Sequence, residues 1–313
     1  MTTTPDLYVT VTNKQYMADG VVLLELSGAG ADLPTWDAGA HIDLFIGPFV
    51  RSYSLCGSTG GHGGYQVAVL NEPSGRGGSA YVHDRLQVGH QVGISLPRNH
   101  FELVDADRYV FVSGGIGITP IVPMIAAAND RGATWELHYG GRSRASMAFV
   151  DQLADHESRV TLYPEDQVGR IPLSELLTDV RPATKIFACG PPPLLDAVAA
   201  ATAHWPAQSL HVERFVPKEF GTVANREFEV HLERRGTTHR IPAHRSILDV
   251  LDDAGVAVPT SCRVGTCGTC EVTVLAGVPD HRDSVLTTEE QADGKYVMLC
   301  VSRAVTATLT LDL

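Results

Sequence analysis

Pro259-Thr260-Ser261-Cys262-Arg263-Val264-Gly265-Thr266-Cys267-Gly268-Thr269-Cys270-Glu271 sets three cysteines in C-x4-C-x2-C spacing, and Cys300 follows much later beside an expected strand end. That is the spacing that holds a plant-type [2Fe-2S] cluster. Four thiolates are needed because each iron takes two protein sulfurs besides the two bridging sulfides. Gly265 and Gly268 suit the task, since a loop lacking Cβ atoms can wrap closely and turn N–H groups towards sulfur. A four-cysteine zinc site matches the count and stays the rival, although such sites usually bring two tight C-x2-C pairs. Cys56 and Cys189, the other two of six cysteines, are too far away in sequence to count as ligands.

The segments around this loop alternate strand and helix signals. Phe228–Arg234 and His239–Ala243 read as strands, Ser246–Asp253 as a helix, and Glu271–Leu275, Tyr296–Cys300 and Thr308–Leu311 as strands, which gives an α+β unit over 228–313. Before it, the polar stretch 217–227 with Gly221 reads as a linker. Further upstream, from Tyr109, strands and helices alternate: Tyr109–Ser113 and Ile121–Asp130, Trp135–Tyr139 and Ser146–Ala154, Arg159–Tyr163 and Leu173–Leu177, Lys185–Cys189 and Leu194–His204, then Ser209–Phe215. Repeated βα units imply a parallel sheet covered by helices, here over 105–216. Residues 1–104 instead offer short strand-like runs between Gly, Pro, Asn and Asp turns, with one helix at Ser79–Leu86, and read as a small antiparallel barrel.

Two glycine turns of the middle region point to a nucleotide. Gly114-Gly115-Ile116-Gly117-Ile118-Thr119-Pro120 joins an expected strand to a helix, where a pyrophosphate can approach the backbone at the positive end of the helix dipole. Cys189-Gly190-Pro191-Pro192-Pro193 ends another strand of the same sheet, on the edge where open α/β folds bind ligands, and Pro191 would start the following helix. Arg142 and Arg144 follow the second strand, where the adenosine ribose is read; an arginine there would suit the 2′-phosphate of NADP, or belong to a solvated basic turn. In the first region, Arg51-Ser52-Tyr53-Ser54-Leu55 puts Arg51, Tyr53 and Leu55 on one strand face and Ser52 and Ser54 on the other. Gly75-Arg76-Gly77-Gly78-Ser79 then opens a helix and offers a phosphate site of amides and an arginine.

With a formal net charge of −12, the 313-residue chain is repelled by nucleic acid and by anionic membranes. Neither is an expected partner. The N-terminus lacks a basic region followed by an apolar run, and no stretch approaches the ~20 apolar residues of a membrane span, so the expectation is a soluble, cytoplasmic protein. Clustering of four cysteines near the end argues for one local site and against a disulfide framework.

Taken in order, R-S-Y-S, S-G-R-G-G-S, G-G-I-G-I-T-P, C-G-P-P-P and the C-terminal cysteine loop resemble the phthalate dioxygenase reductase family of the ferredoxin–NADP reductase superfamily, over essentially the whole chain. The resemblance implies a multidomain protein: an antiparallel β-barrel that binds FMN, a Rossmann-like parallel-sheet domain for NADH, and a β-grasp ferredoxin domain whose cluster is held by Cys262, Cys267, Cys270 and Cys300. It implies that Arg51, Arg76, Gly77, Gly78 and Ser79 hold the flavin phosphate, that Tyr53 lies along the flavin with Ser52 among the cofactor-binding residues, and that Ser54 sits near its N5. Backbone around Val67–Val69 would meet the pyrimidine edge. Gly114, Gly115, Gly117, Thr119 and Pro120, with Cys189, Gly190 and Pro191, would position nicotinamide, and Phe215 would cover the flavin face where it docks.

NADH delivers two electrons as hydride and an iron–sulfur cluster takes one, so a flavin must stand between them. Ser54 and Cys189 are the side chains expected to line or polarise the reaction site, with Phe215 beside them. The acceptor implied by the resemblance is the terminal oxygenase of a Rieske-type aromatic dioxygenase or demethylase, with a cytochrome P450 as the alternative. An NADPH-dependent flavin reductase with another acceptor also remains open, and an acidic group of Asp280, Asp283, Glu289 and Glu290 would steer the partner or, more commonly for such a group, form a solvated charged surface.

Overall fold

The computed structural model describes residues 4–28, 32–59, 64–218 and 224–313. Of the expected linker, residues 219–223 lie outside this set. The chain divides into two compact units, Pro5–Phe215 and one made chiefly of Val216–Leu313.

The first unit contains two sheets. Strands β1 (Leu7–Ala18), β2 (Val21–Gly28), β3 (His41–Ile46), β4 (Phe49–Ser54), β5 (Tyr65–Leu70) and β6 (Gln91–Ile94) form a six-stranded sheet in the order β4-β3-β6-β1-β2-β5. An antiparallel bridge between Leu55 and Val67 joins its two edges, which makes it a barrel and removes the exposed edges. Inward residues such as Val22, Leu24, Ile42, Leu44, Val67 and Val69 are fully buried. Helix α1 (Gly78–Asp84) lies between β5 and β6 in sequence.

The second sheet is wholly parallel, in the order β11-β10-β7-β8-β9, built from β7 (Arg108–Gly114), β8 (Thr134–Gly141), β9 (Val160–Pro164), β10 (Thr184–Cys189) and β11 (Leu210–Glu213). The long helices are α2 (Ile118–Asp130) and α6 (Pro192–Ala201); α3 (Val150–Leu153), α4 (Glu165–Val168) and α5 (Leu173–Leu176) are single turns. One core runs across both sheets of this unit, from Leu23, Cys56 and Ala68 of the barrel to Tyr109, Phe111 and Phe187 of the parallel sheet.

Several boundaries differ from the sequence reading. The helix expected over Ser146–Ala154 is broken, because buried Phe149 takes a left-handed conformation (φ 63°) that no helix interior accepts. β1 continues past Leu7–Thr12, the run that the sequence marks as a strand, to Ala18 through Asn13, Lys14 and Gln15; register shifts at Val11/Asn13 and Tyr16/Ala18 absorb the lost alternation. Pro191 caps α6 in extended conformation, and Pro192 opens the helix.

In the second unit, β12 (Phe228–Leu232), β13 (Thr237–Ile241), β14 (Glu271–Ala276), β16 (Tyr296–Met298) and β18 (Thr308–Leu311) form a mixed sheet in the order β13-β12-β18-β14-β16, with only β12 and β18 parallel. β15 (Pro279–Asp280) and β17 (Arg303–Ala304) pair separately. α7 (Ile247–Asp253) buries Ile247, Leu248 and Leu251 in this unit's core, and its start is fixed by Ser246, whose Oγ accepts from the Asp249 N–H at 3.1 Å. α8 (Thr288–Asp293) is closed by a Thr287/Glu290 capping box.

Candidate functional site

The cysteine loop follows α7 and leads into β14. Its path needs three left-handed residues, Arg263 (φ 56°), Gly265 (φ 74°) and Gly268 (φ 71°). A Cβ on Gly265 would stand 2.6 Å from Val301 Cγ2, so side-chain volume and dihedral angle both demand glycine there. Arg263 tolerates its conformation while its guanidinium pairs with Asp249 and Asp252 of α7, which ties the loop to the helix. The amides of Val264 and Thr266 donate to Cys262 Sγ, both at 3.4 Å.

Cys262 is half-buried, and Cys267, Cys270 and Cys300 are buried. Their thiols meet in a chain of contacts: Cys267 with Cys262, Cys262 with Cys300, and Cys300 with Cys270. Hydrogen bonds from Cys267 and Cys300 hold the Cys262 thiol far below its ordinary range, against the opposing effect of burial. Four converging sulfurs in C-x4-C-x2-C spacing with a distant fourth fit a two-iron cluster, with two thiolates per iron, better than a zinc site built from two tight C-x2-C pairs.

Of the acidic group, Glu289 and Glu290 are exposed, Asp280 is half-buried and Asp283 is buried. Asp283 is fully buried and accepts from the amides of Val285 (3.0 Å) and Leu286 (2.8 Å); Asp280 pairs with Arg282 at 2.6 Å; Glu290 is spent on the α8 cap. Clustering in sequence gave no information about these three local structural duties.

In the barrel, Arg51 lies across the start of α1. Its Nη2 donates to the Arg76 carbonyl at 3.0 Å, its Nη1 to the Val50 carbonyl at 2.8 Å, and a Cβ on Gly78 would come within 2.7 Å of its Cγ. Burial, and then the neighbouring charge of Arg76, lower the affinity of Arg51 for its proton. Two cations turned to one glycine turn fit a phosphate dianion. Gly77 takes φ 81°, again a left-handed position. Ser79 Oγ accepts from the Glu72 N–H at 3.0 Å and so also closes the preceding turn, while Ser52 Oγ donates to Asp43 Oδ1 at 2.6 Å. Tyr53 packs against the barrel core, and burial raises its phenol to about 12. Val67 bridges Leu55, and the carbonyl of Val69 accepts from His83 Nε2 at 2.9 Å, so part of the backbone expected to meet the flavin edge already has protein partners.

The two nucleotide turns converge. β7 and β10 are adjacent and parallel, pairing Ser113 with Cys189. A Cβ on Gly117 would fall 2.3 Å from the Cys189 carbonyl oxygen, and one on Gly190 would fall 3.0 Å from the Gly114 amide nitrogen, so the backbones touch where these glycines stand. Gly115 has φ 54°, Thr119 Oγ1 donates to the Ile116 carbonyl at 3.0 Å, and Pro120 is buried in the first turn of α2. Arg142 and Arg144 are exposed at the end of β8. Phe215, just past β11, is 40% exposed, which argues against an ordinary core aromatic.

One residue that the sequence reading missed completes this end of the sheet. Cys189 and Glu213 are register partners on β10 and β11, and Cys189 Sγ donates to Glu213 Oε2 at 3.9 Å. Burial raises the Glu213 carboxyl to about 8, with smaller opposing effects from Ser54 and Cys189. The Cys189 thiol is pushed up by burial and then by the Glu213 charge. Buried Ser54 Oγ, from the barrel, faces the same carboxyl closely enough to affect it but completes no hydrogen bond within the protein. An available signal was the adjacency of Glu213 to Phe215 at the end of an expected strand.

Residues 230–305 match the family described as 2Fe-2S iron-sulfur cluster binding domain. The chain is 43% identical over 302 residues to phenoxybenzoate dioxygenase subunit beta of Ectopseudomonas oleovorans, covering 95% of this chain and 94% of that protein. It superimposes on a phthalate dioxygenase reductase, described as a modular structure for electron transfer from pyridine nucleotides to [2Fe-2S], with a TM-score of 0.71, 38% identity and 98% of both chains covered. It also superimposes on an intact type IV self-sufficient cytochrome P450 monooxygenase, with a TM-score of 0.93 and 44% identity over 98% of this chain; there it spans 41% of the larger protein. No helix among the described residues is long and apolar enough to cross a membrane. The chain belongs to the phthalate dioxygenase reductase family of oxygenase reductases.

Proposed function

We propose that the protein is the NADH-dependent reductase component of an oxygenase system, with FMN in the barrel and a [2Fe-2S] cluster in the second unit. The meeting of Ser54 from the barrel with Cys189 and Glu213 from the parallel sheet carries this reading, because it joins a flavin-side group to the nicotinamide side within one compact unit. When bound, the flavin accepts two electrons as hydride and the cluster passes them on one at a time. Domain limits of 1–104, 105–216 and 228–313, with a linker at 217–227, belong to the same proposal.

The residues divide the work. Arg51 and Arg76 neutralise the flavin phosphate, with Gly77, Gly78 and Ser79 shaping the turn. Ser52 and Tyr53 line the flavin. The Gly114–Pro120 and Cys189–Pro191 turns leave the backbone open to the dinucleotide. Phe215 covers the face where nicotinamide docks and shields it until the substrate displaces the ring. The Ser54 hydroxyl neighbours the Glu213 carboxyl and is available to the reacting edge, while Glu213, raised by burial, retains its proton near neutral pH and adds no negative charge there. Cys262, Cys267, Cys270 and Cys300 hold the cluster. With six cysteines free of disulfides, the chain suits a cytoplasmic setting.

The acceptor in this reading is a terminal oxygenase of the Rieske aromatic type. A cytochrome P450 is the second reading, favoured by the likeness to the reductase portion of a self-sufficient P450. Anaerobic titration with NADH, followed by visible absorption and electron paramagnetic resonance, tests the electron path. Bleaching of a flavin-plus-cluster spectrum with a rhombic signal is expected; a colourless, zinc-containing protein unresponsive to NADH would overturn it. Titration with NADPH separates the cofactor alternatives raised by Arg142.

A further inference from the structure

Helix α1, which follows the phosphate turn, is only seven residues long, too short to hold its shape unaided. Of its side chains, Val82 is buried in the barrel core, Tyr81 packs against its edge, and His83 bonds to the Val69 carbonyl. Its last turn should leave carbonyls without partners. Lys14, from the middle of β1, supplies them: Nζ donates to the carbonyls of Val82 (2.8 Å), His83 (2.7 Å) and Leu86 (2.9 Å). Three donors to three carbonyls use the whole capacity of an ammonium group, and they place its positive charge at the negative end of the helix. At the other end, Arg51 grips the Arg76 carbonyl.

We propose that Lys14 is a positioning residue for flavin phosphate binding: it clamps the C-terminal end of α1 to β1, so that the turn Arg76–Ser79 keeps the geometry that meets the phosphate. This inference rests on the reading of Arg51 and Arg76 as the phosphate site. Lys14 does not act by direct attraction. A seven-residue helix is about 10 Å long, close to one screening length at physiological ionic strength. Its action is therefore mechanical, through a helix anchored at both ends. The ammonium is bonded to three peptide carbonyls, with the Asp84 carboxylate of the same helix adding a weaker attraction, which distinguishes the clamp from a lone surface ion pair of little consequence.

FMN and riboflavin share the isoalloxazine ring and differ in the phosphate, so their affinities separate this role from general destabilisation. Full-length protein with its cluster in place and flavin removed is titrated with each, following flavin fluorescence. Lys14→Met is expected to weaken FMN binding about tenfold, the size of one charge-assisted hydrogen bond lost, and to leave riboflavin binding unchanged. Lys14→Arg, which keeps charge and donors, should recover part of the loss. FMN affinity within about twofold of the parent, a factor small on the affinity scale, or equal losses for both flavins, would overturn the proposal. If Lys14→Met does not fold, Lys14→Gln is judged by the same ratio. A parent protein that binds FMN no more tightly than riboflavin sinks the phosphate site itself, a result distinct from failure of the clamp.

Discussion

Glu213 shows how far one side chain's chemistry depends on what encloses it. With its carboxyl raised to about 8, the folded chain keeps a proton that an unfolded chain, titrating near 4.5, has released. Folding therefore binds a proton between those values, and stability falls as pH rises through that window, by at most about 1.4 kcal/mol per pH unit. Above the folded value the loss is complete. Denaturant unfolding of Glu213→Gln between pH 5 and 8 should lack this slope; an identical slope in parent and variant would place the carboxyl in solvent. Ser54 makes a kinetic prediction. Ser54→Ala removes one hydroxyl beside Glu213 and leaves the backbone unchanged, so it should fold and keep its cluster, yet reduce flavin about a hundredfold more slowly, the lower end for one lost polar contact at a reacting centre. Stopped-flow absorbance at saturating NADH measures it, and an unchanged rate removes Ser54 from the mechanism. The two residues differed in legibility. Ser54 lay within a recognisable motif, whereas Glu213 gains its meaning from Cys189 on the next strand and from Ser54 in another sheet.

Among the elements, the two glycine turns act as one because β7 and β10 are neighbours in register. A methyl at position 117 would overlap the Cys189 carbonyl, rigid backbone that cannot rotate aside as a side chain can. Gly117→Ala should therefore separate the turns, cost ~1–3 kcal/mol or more in stability, and weaken NADH binding while FMN content remains. Calorimetry with NADH and the flavin spectrum of the purified variant check both halves. Strand-to-helix order, both turns and the cysteine spacing were legible because glycine, proline and cysteine carry their structural demands locally. The helix over Ser146–Ala154 was less so, since a buried Phe149 in left-handed conformation breaks a pattern that reads as continuous helix and leaves only α3. Near Asp283 composition reports charge, but burial decides which carboxylates face solvent: Glu289 and Glu290 do, and Asp283 does not.

For the whole molecule, the division into units predicts a division of labour. Pro5–Phe215 encloses the barrel, the parallel sheet and a core running through both, whereas the four cysteines and their supporting core lie in the other unit. Hydride acceptance needs only the first. A fragment ending after Phe215 should fold, bind FMN and be bleached by NADH at a rate close to that of the full chain, because Ser54, Cys189, Glu213 and both glycine turns all lie within it. Ferricyanide, a small one-electron acceptor that can approach a flavin directly, should still be reduced. Delivery to a terminal oxygenase should be lost, since the proposed one-electron exit has been removed. Rates compared between fragment and full chain with both acceptors give the answer. A fragment that binds FMN but reacts with NADH far more slowly would mean that the second unit helps to build the hydride-transfer site, and the electron path could no longer be drawn as two separable steps.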